Sequence, residues 1–435
     1  WNHTSDQHPW FEESRSSRNN PRADWYVWVD AAEDGGPPNN WRSTFGGSAW
    51  AWCPQREQYY LHNFLVEQPD LNWYKEEVVD AVLATARFWL DLGVDGFRLD
   101  VINFLRHDRR LRDNPARATG RPRPAGAGAE DPFFDQLNLH NLCQPETIDL
   151  LPRIRALMDE YGATTLAEIS SAEDTLLASV DYVEGTDRLH SAYNSSLMTD
   201  EPLTAERINS LIDRVEAGFS DGVMCWTAGT HDFPRVKSRW SRYHPPEPFL
   251  HDAFDHMFAA LLLCLRGCCC IYQGDELGLT QAEIPHELMQ DPFGIAGYPR
   301  VLGRDGSRTP MPWRHDETNL GFTRARTPWL PFAPEHRERA VDLQEGDHGS
   351  LLNRYRRLLH WRQAQPALQG GKLERVELAS GVVAFRRECE TQRLLCLFNP
   401  GADPRYLDMS ALGVEGLHLP EDFPLRRYGD TAELP

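Results

Sequence analysis

Charged side chains follow the ends of several predicted strands, where they could work together in one pocket. Arg98 and Asp100 are two residues apart on a strand predicted over 94–101, so both point to the same side. A guanidinium beside a carboxylate keeps it ionised, which a nucleophile requires. Glu168 ends an apolar strand, where burial can raise the pKa of a carboxyl group for general acid catalysis. His231 and Asp232 follow a third predicted strand.

Alternating helices and strands would position these residues. A helix capped by Asn72 and stopped by Gly93 comes first, and later helices are predicted near 145–161, 204–217, 253–266 and 351–365. The predicted strands are 94–101, 164–169, 223–230 and 268–272. This alternation favours a parallel α/β sheet. Asp100 and Glu168 are 68 residues apart and Glu168 and Asp232 are 64 apart, which we interpret as about two strand–helix units in each case.

Each acid by itself has a structural explanation, such as a helix cap or a salt bridge. Three charged clusters in step with the strands favour function, because active sites of α/β barrels lie at the C-terminal ends of the strands. The flanks of the chain are different. Residues 1–72 are rich in aromatic and turn-forming residues, 117–131 predict a loop, and 372–398 alternate as strands do.

Composition excludes several kinds of partner. The 65 acidic residues exceed the 45 basic ones, and a net charge of −20 repels the phosphate backbone of nucleic acids. No apolar run reaches the roughly 18 residues that a membrane-spanning helix needs. Nine cysteines are present, of which 268–270 are consecutive on a predicted strand and would point alternately to opposite faces. We therefore expect no metal site there and a reducing, cytoplasmic compartment.

One motif match is rejected. Residues 218–222 read Gly-Phe-Ser-Asp-Gly, which fits the G-x-S-x-G nucleophile elbow of serine hydrolases. That elbow needs a strand before it and a helix after it, whereas the sequence predicts a helix before it and a strand after it. We therefore expect Ser220 not to be a nucleophile.

The ordered motifs resemble those of the α-amylase family of glycoside hydrolases, often called family 13, and within it the α-glucosidase and oligo-1,6-glucosidase branch. The resemblance spans nearly the whole chain. It is carried by Asn2-His3, Gln68-Pro69-Asp70-Leu71-Asn72, Gly96-Phe97-Arg98-Leu99-Asp100, Ala167-Glu168, His231-Asp232, Gln273-Gly274-Asp275-Glu276-Leu277-Gly278, and the run from Gly303-Arg304-Asp305-Gly306 through Arg308 to Trp313.

The resemblance implies a role for each matched residue. Asp100 would be the nucleophile, Glu168 the acid/base, and Asp232 the group that holds sugar hydroxyls as the transition state forms. The residues implied to bind the non-reducing glucose are His3, Arg98, His231 and Arg304. No cofactor and no metal ligand are implied in this chain.

The resemblance also implies the fold. We expect a TIM (β/α)8 barrel with an inserted loop-rich subdomain and a small C-terminal β domain. Residues 1–72 would hold the end of barrel strand 3 and the insert, 73–368 the remaining barrel units, and 369–435 the β domain. The family's first motif has an Asp before its Asn-His, and the chain begins after that position. We therefore expect the first strands, and a loop that often carries a metal, to precede residue 1. We also expect residues 1–435 alone to be inactive and poorly soluble.

The implied activity is that of a retaining exo-acting α-glucosidase on maltose- or isomaltose-type oligosaccharides, with transglucosylation as an additional activity. Val101 resembles the residue of α-1,6-acting relatives, where α-1,4-acting ones more often have Thr or Ala. A sucrose- or trehalose-handling isomerase is the alternative within the family. A non-catalytic sugar-binding member is a further alternative, and the presence of Asp100, Glu168 and Asp232 argues against it. The oligomeric state is left open.

Overall fold

The computed structural model describes residues 1–128, 131–241, 243, 248–378, 381–408, 426–428 and 431–434. The chain divides into two compact units. The first comprises Trp1–Leu197, Phe219–Cys225 and Ala296–Val301, and the second comprises Met198–Gly218, Trp226–Ile295 and Leu302–Pro435. Part of the predicted loop 117–131 and much of the predicted C-terminal domain 369–435 lie outside the described residues. The boundaries after 72 and 368 stay a prediction.

The N-terminal segment of the first unit combines loops with a small antiparallel sheet, in agreement with the predicted loop-rich subdomain. Its elements are helix α1 (Pro9–Ser16) and strands β1 (Trp28–Val29), β2 (Trp50–Cys53) and β3 (Gln58–Leu61), in the sheet order β1-β3-β2. Trp41 and Trp50 are buried against each other with Leu61 beside them, so these two indoles are core residues.

A parallel sheet forms the rest of the first unit. Its elements are α2 (Glu76–Asp91), β4 (Gly96–Leu99), α3 (Pro145–Ile148), α4 (Leu151–Tyr161), β5 (Thr164–Ile169), α5 (Thr175–Val183), β6 (Ser191–Asn194) and the start of β7 (Val223–Thr227). The pairs β4–β5, β5–β6 and β6–β7 are all parallel. The predicted parallel α/β sheet is thus confirmed.

Local sequence explains the helix ends in this unit. Gly162 ends α4 in the left-handed conformation, with φ of 64°, and Pro152 lies in the first turn of α4, where its missing N–H costs nothing. The prediction that Asn72 caps α2 is wrong. The Asn72 side chain instead accepts a hydrogen bond from the Tyr74 backbone, and α2 begins at Glu76 without a side-chain cap.

Two sequence predictions about the sheet need correction. Strand β4 ends at Leu99, so Asp100 follows the strand and does not lie within it. The 68 residues from Asp100 to Glu168 do not cover two strand–helix units, because β4 and β5 are direct neighbours. The sequence pattern did not predict β6. Because β6 lies between β5 and β7, the interval from Glu168 to Asp232 does contain two strand–helix units.

The second unit contains the remaining elements. Its helices are α6 (Ala205–Gly218), α7 (Val236–Ser241), α8 (Pro248–Cys264), α9 (Pro292–Gly297, whose last residues belong to the first unit), α10 (Val341–Glu345), α11 (Leu351–Gln363) and α12 (Pro366–Gly370). Its strands are the end of β7, then β8 (Cys268–Cys270), β9 (Lys372–Arg375), β10 (Val383–Cys389), β11 (Gln392–Phe398), β12 (Arg405–Asp408), β13 (Arg426–Tyr428) and β14 (Thr431–Leu434).

The pairing of these strands agrees with the expected C-terminal β region. Strand β8 lies next to β7, and antiparallel sheets follow with the orders β11-β10-β9 and β12-β14-β13. Among the described helices, none combines the length and the apolar character needed to cross a membrane.

The segment that matches G-x-S-x-G has a structural role. Helix α6 ends at its first glycine and β7 begins directly after its last, so the order is helix then strand, as predicted. The backbone N–H groups of Ser220, Asp221 and Gly222 donate to the Glu184 carboxylate at 3.0–3.2 Å. The segment therefore holds a carboxylate and presents no nucleophile elbow.

Gly96 generates a prediction about the β4–β5 pair. A Cβ at this position would lie 2.3 Å from the Thr164 carbonyl oxygen of β5, so a side chain would push the strands apart. We expect Gly96→Ala to lower the free energy of unfolding by about 1–3 kcal/mol, measured by urea denaturation. Gly370→Ala is the matched control, because a Cβ there meets nothing within 4 Å. Equal free energies for the two variants would contradict this packing argument.

Candidate active site

Arg98 joins the two carboxylates of the first unit. Its Nη1 donates to Asp100 Oδ1, and its Nη2 donates to Glu168 Oε2 at 2.5 Å. The parallel register pairs Leu99 with Ala167, so the residues after both positions emerge at the same edge of the sheet. The sequence prediction that Arg98 lies beside Asp100 is confirmed, and Glu168 shares the same guanidinium.

Electrostatics favour an ionised Asp100. Burial raises the pKa of this carboxyl group, but nearby positive charges, led by the charge and hydrogen bond of Arg98, hold the pKa below its usual range. Burial lowers the pKa of the Arg98 guanidinium. The opposing effects of Glu168, Tyr193 and Asp100 are larger, and the pKa lies above its ordinary value. The guanidinium therefore stays charged, and Asp100 has the ionisation state that a nucleophile needs.

Tyr193 of β6 is a member of the cluster that the sequence analysis missed. Its hydroxyl accepts hydrogen bonds from Arg98 Nε at 3.1 Å and from Nη2 at 2.6 Å. The register pairs it with Glu168 on β5. The sequence pattern did not predict β6. With that strand in place, the register beside β5 would have placed Tyr193 next to Glu168.

Val101 adds a backbone contact to Glu168. Its N–H donates to Glu168 Oε2 at 3.2 Å. Its backbone is left-handed, with φ of 38° and ψ of 46°, which is rare for a β-branched residue and costs on the order of 1–3 kcal/mol. The strained turn directly after Asp100 thus directs an amide toward the neighbouring carboxylate.

His3 lies in the first unit in a half-buried polar setting. Burial lowers the pKa of its imidazole to about 4, although the Asp100 charge acts in the opposite direction, so His3 is neutral near pH 7. Its Nε2 lies 2.9 Å from the Gln68 amide nitrogen, and it bridges through the backbone to Asp70. Two motifs of the resemblance, Asn2-His3 and 68–72, therefore meet in space.

Asp232 belongs to the second unit, where two arginines hold it. Arg304 Nη1 and Arg308 Nη2 each donate to Asp232 Oδ1 at 3.0 Å. His231 Nε2 lies 3.3 Å from Asp232 Oδ2, and Arg308 Nε donates to the His231 carbonyl at 2.7 Å. The structure thus brings together the predicted residues Asp232, His231 and Arg304.

Arg308 is the residue of this group that the sequence analysis did not select. The run from Gly303 to Trp313 contains Arg304 and Arg308 four positions apart, and only Arg304 was assigned to the sugar pocket. The sequence signal that could have identified Arg308 was its presence in the same motif as Arg304.

His315, Asp316 and Asp342 are the candidate cation ligands within the described part of the chain, with ligand atoms inside 4.8 Å of one another. Asp342 already accepts from the His315 ring at 2.9 Å, from the His315 backbone and from the Leu343 backbone. These hydrogen bonds account for the cluster, and none of the three residues belongs to the site predicted from the sequence.

Comparison with known proteins identifies the family. The family model described as "Alpha amylase, catalytic domain" matches residues 1–371. The chain belongs to the α-amylase family. Membership confirms the expected glycoside hydrolase and fold class, because the parallel sheet and the C-terminal antiparallel strands are those of a TIM barrel with a C-terminal β domain.

Individual members of the α-amylase family match over nearly the whole chain. A probable α-glucosidase of Rhizobium meliloti (strain 1021) is 47% identical over 99% of this chain and 76% of its own length. An oligo-1,6-glucosidase of Halalkalibacterium halodurans is 30% identical over 92% and 73%. The crystal structure of the α-glucosyl transfer enzyme XgtA matches with a TM-score of 0.92 and 45% identity, covering 100% of this chain and 79% of the other. The predicted α-glucosidase and oligo-1,6-glucosidase branch is confirmed.

The contact between Arg98 and Asp100 generates a pH prediction. Arg98 lowers the pKa of Asp100, so its removal should raise that pKa and move the acid limb of the kcat/KM profile to higher pH. For Arg98→Gln we expect a displacement of about 1–3 pH units, measured with p-nitrophenyl α-glucoside. Arg87→Gln is the control, since Arg87 pairs with Glu160 on the surface. An acid limb at the same pH in Arg98→Gln and in the wild type would refute this electrostatic role.

Proposed function

We propose that the protein is a retaining exo-acting α-glucosidase that releases glucose from the non-reducing end of maltose- or isomaltose-type oligosaccharides and also transfers glucose to sugar acceptors. The observation that carries the proposal is the pair Asp100 and Glu168, joined by Arg98 at the ends of adjacent strands. Family membership and the α-glucosidase relative at 47% identity support it.

In the proposed mechanism, Asp100 attacks the anomeric carbon while Glu168 gives its proton to the glycosidic oxygen, so the aglycone leaves as an alcohol. The product is a covalent glucosyl–Asp100 ester. Glu168, now ionised, takes a proton from water, and that water displaces Asp100. Retention requires carboxyl groups about 5–5.5 Å apart. A guanidinium shared by both side chains supports such a short separation.

Transfer follows from the same intermediate. A sugar hydroxyl that replaces water in the second step gives a new glucoside, with Glu168 as the base in both reactions. The 45% identity to XgtA, an α-glucosyl transfer enzyme, supports transfer as part of the activity. The balance between the two outcomes depends on how well the site binds an acceptor relative to water.

The remaining residues would bind the glucose unit. We assign His3, Arg98, His231 and Arg304 to its hydroxyls and Asp232 to hydroxyl contacts that strengthen in the transition state. Arg308 joins them as a residue that holds Asp232. A neutral His3 can accept one hydrogen bond and donate another to a hydroxyl.

Linkage and location complete the proposal. Val101 after the nucleophile and the oligo-1,6-glucosidase relative support action on α-1,6 bonds alongside α-1,4 bonds. All nine cysteines lie among the described residues and none is recorded in a disulfide, which supports a reducing, cytoplasmic compartment. Among the alternatives, an isomerase would form an isomeric disaccharide from sucrose faster than free glucose.

The nucleophile assignment gives a direct test. Asp100→Asn should lower kcat for p-nitrophenyl α-glucoside by at least about 1,000-fold, because covalent catalysis has no substitute nucleophile. The complete gene product should be used. Asp95→Asn is the matched control, an exposed aspartate just before the same strand, and should keep kcat within about twofold. Asp100→Asn with more than about a tenth of the wild-type rate would remove Asp100 as the nucleophile.

A further inference from the structure

Asp291 is a buried carboxylate that the proposed mechanism does not use. It lies directly before α9, and its side chain has no solvent exposure. Arg304 supplies most of its hydrogen bonds: the backbone N–H donates to Oδ2 at 2.8 Å, Nε donates to Oδ2 at 3.0 Å, and Nη2 donates to Oδ1 at 2.7 Å. The carboxylate accepts from both the backbone and the guanidinium of the same arginine. This fixes the arginine side chain in a single orientation.

The bound edge of the guanidinium determines where its other edge points. The Asp291 carboxylate accepts hydrogen bonds from Nε and Nη2 of Arg304, while Nη1 of Arg304 donates to Asp232 Oδ1 at 3.0 Å. The guanidinium is planar and rigid, so a rotation that releases Asp291 also moves Nη1 away from Asp232. The contact of Arg304 with Asp232 thus depends on Asp291.

Asp291 also stabilises the charge on Arg304. Burial lowers the pKa of the Arg304 guanidinium, but the hydrogen bonds and charge of Asp291, together with Asp232, raise it above its ordinary value. A half-buried cation that loses its carboxylate partner is costly and tends to rearrange. Removal of Asp291 is therefore expected to displace Arg304.

The backbone around Asp291 is itself held in place. Asp305 Oδ2 accepts hydrogen bonds from the backbone N–H groups of Gln290 at 2.6 Å and Asp291 at 2.9 Å. Gly303 and Gly294 approach so closely that a Cβ on Gly303 would lie 2.6 Å from the Gly294 Cα. Hydrogen bonds and close packing thus hold the segments that carry Asp291 and Arg304 together. They provide the rigid support that precise positioning requires.

We propose that Asp291 is a positioning residue for catalysis: it orients Arg304 so that Arg304 holds Asp232 ready for the sugar hydroxyls. This inference rests on the proposed α-glucosidase function. It differs from a purely stabilising ion pair, which would lower the stability of the fold and leave the transition state bound as before. The two roles are distinguished by coupling, because a residue that acts through Arg304 has little further effect once Arg304 is gone.

The test is a double-mutant cycle on kcat/KM for p-nitrophenyl α-glucoside, with the complete gene product. Asp291→Asn should lower kcat/KM by about 10–100-fold, mainly through kcat, since a small displacement at a reacting centre has effects of this size. Arg304→Ala should show a loss of similar size or greater. The double variant should be no slower than Arg304→Ala by more than about twofold.

Glu216→Gln is the matched control. Glu216 forms a partly buried ion pair with Arg266 in the same unit, at 2.9 Å, so its loss tests the effect of removing a carboxylate from such a pair. It should lower Tm without changing kcat/KM by more than about twofold. Losses of Asp291→Asn and Arg304→Ala that multiply in the double variant would overturn the proposal, as would an unchanged kcat/KM in Asp291→Asn.

Arg304→Lys provides a second variant in case Asp291→Asn fails to fold. A lysine cannot bridge Asp291 and Asp232 as a planar fork can, so it should lose as much kcat/KM as Arg304→Ala. Retention of half the wild-type kcat/KM would overturn the proposal. A wild-type protein that hydrolyses no α-glucoside would instead reject the proposed function, so the two failures are distinguishable.

Discussion

The Arg98 guanidinium holds the carboxyl groups of Asp100 and Glu168 side by side at the ends of neighbouring strands. In the proposed mechanism Asp100 is ionised while Glu168 carries its proton, so Arg98 stabilises one negative charge beside a neutral acid. Arg98 donates to both carboxylates, and Tyr193 fixes the guanidinium from the next strand. This cluster depends on the β4–β5 register, which the absence of a side chain at Gly96 allows.

The same physical device recurs around Asp232. There the carboxylate accepts from Arg304 and Arg308, and Arg304 is in turn bound by the buried Asp291. In both units, arginine is suited to the task because its planar group carries several donors in fixed directions and keeps its charge when partly buried. In the proposed mechanism, carboxylates held in this way lose little energy to reorganisation as charge develops in the transition state.

Periodicity and local chemistry were enough to predict the main helices, the strand β5 with its exact ends and the side-by-side placement of Arg98 and Asp100. They were insufficient for β6, since Ser191–Asn194 is short, partly polar and buried throughout, so it shows no alternation. Tyr193 was lost with it. The left-handed backbone of Val101 opposes its β-branched propensity and is imposed by tertiary contacts. The roles proposed for His3 and Asp232 come from the family resemblance, because spacing alone leaves them undefined.

The proposed double displacement through Asp100, with Glu168 as acid/base, is tested most directly by the configuration of the first product. Proton NMR of the complete gene product acting on p-nitrophenyl α-glucoside distinguishes the two anomers of glucose before they interconvert. We expect α-glucose to appear first, because two successive inversions at the anomeric carbon retain its configuration. β-Glucose as the first product would mean a single displacement by water and would contradict the assignment of Asp100 as nucleophile.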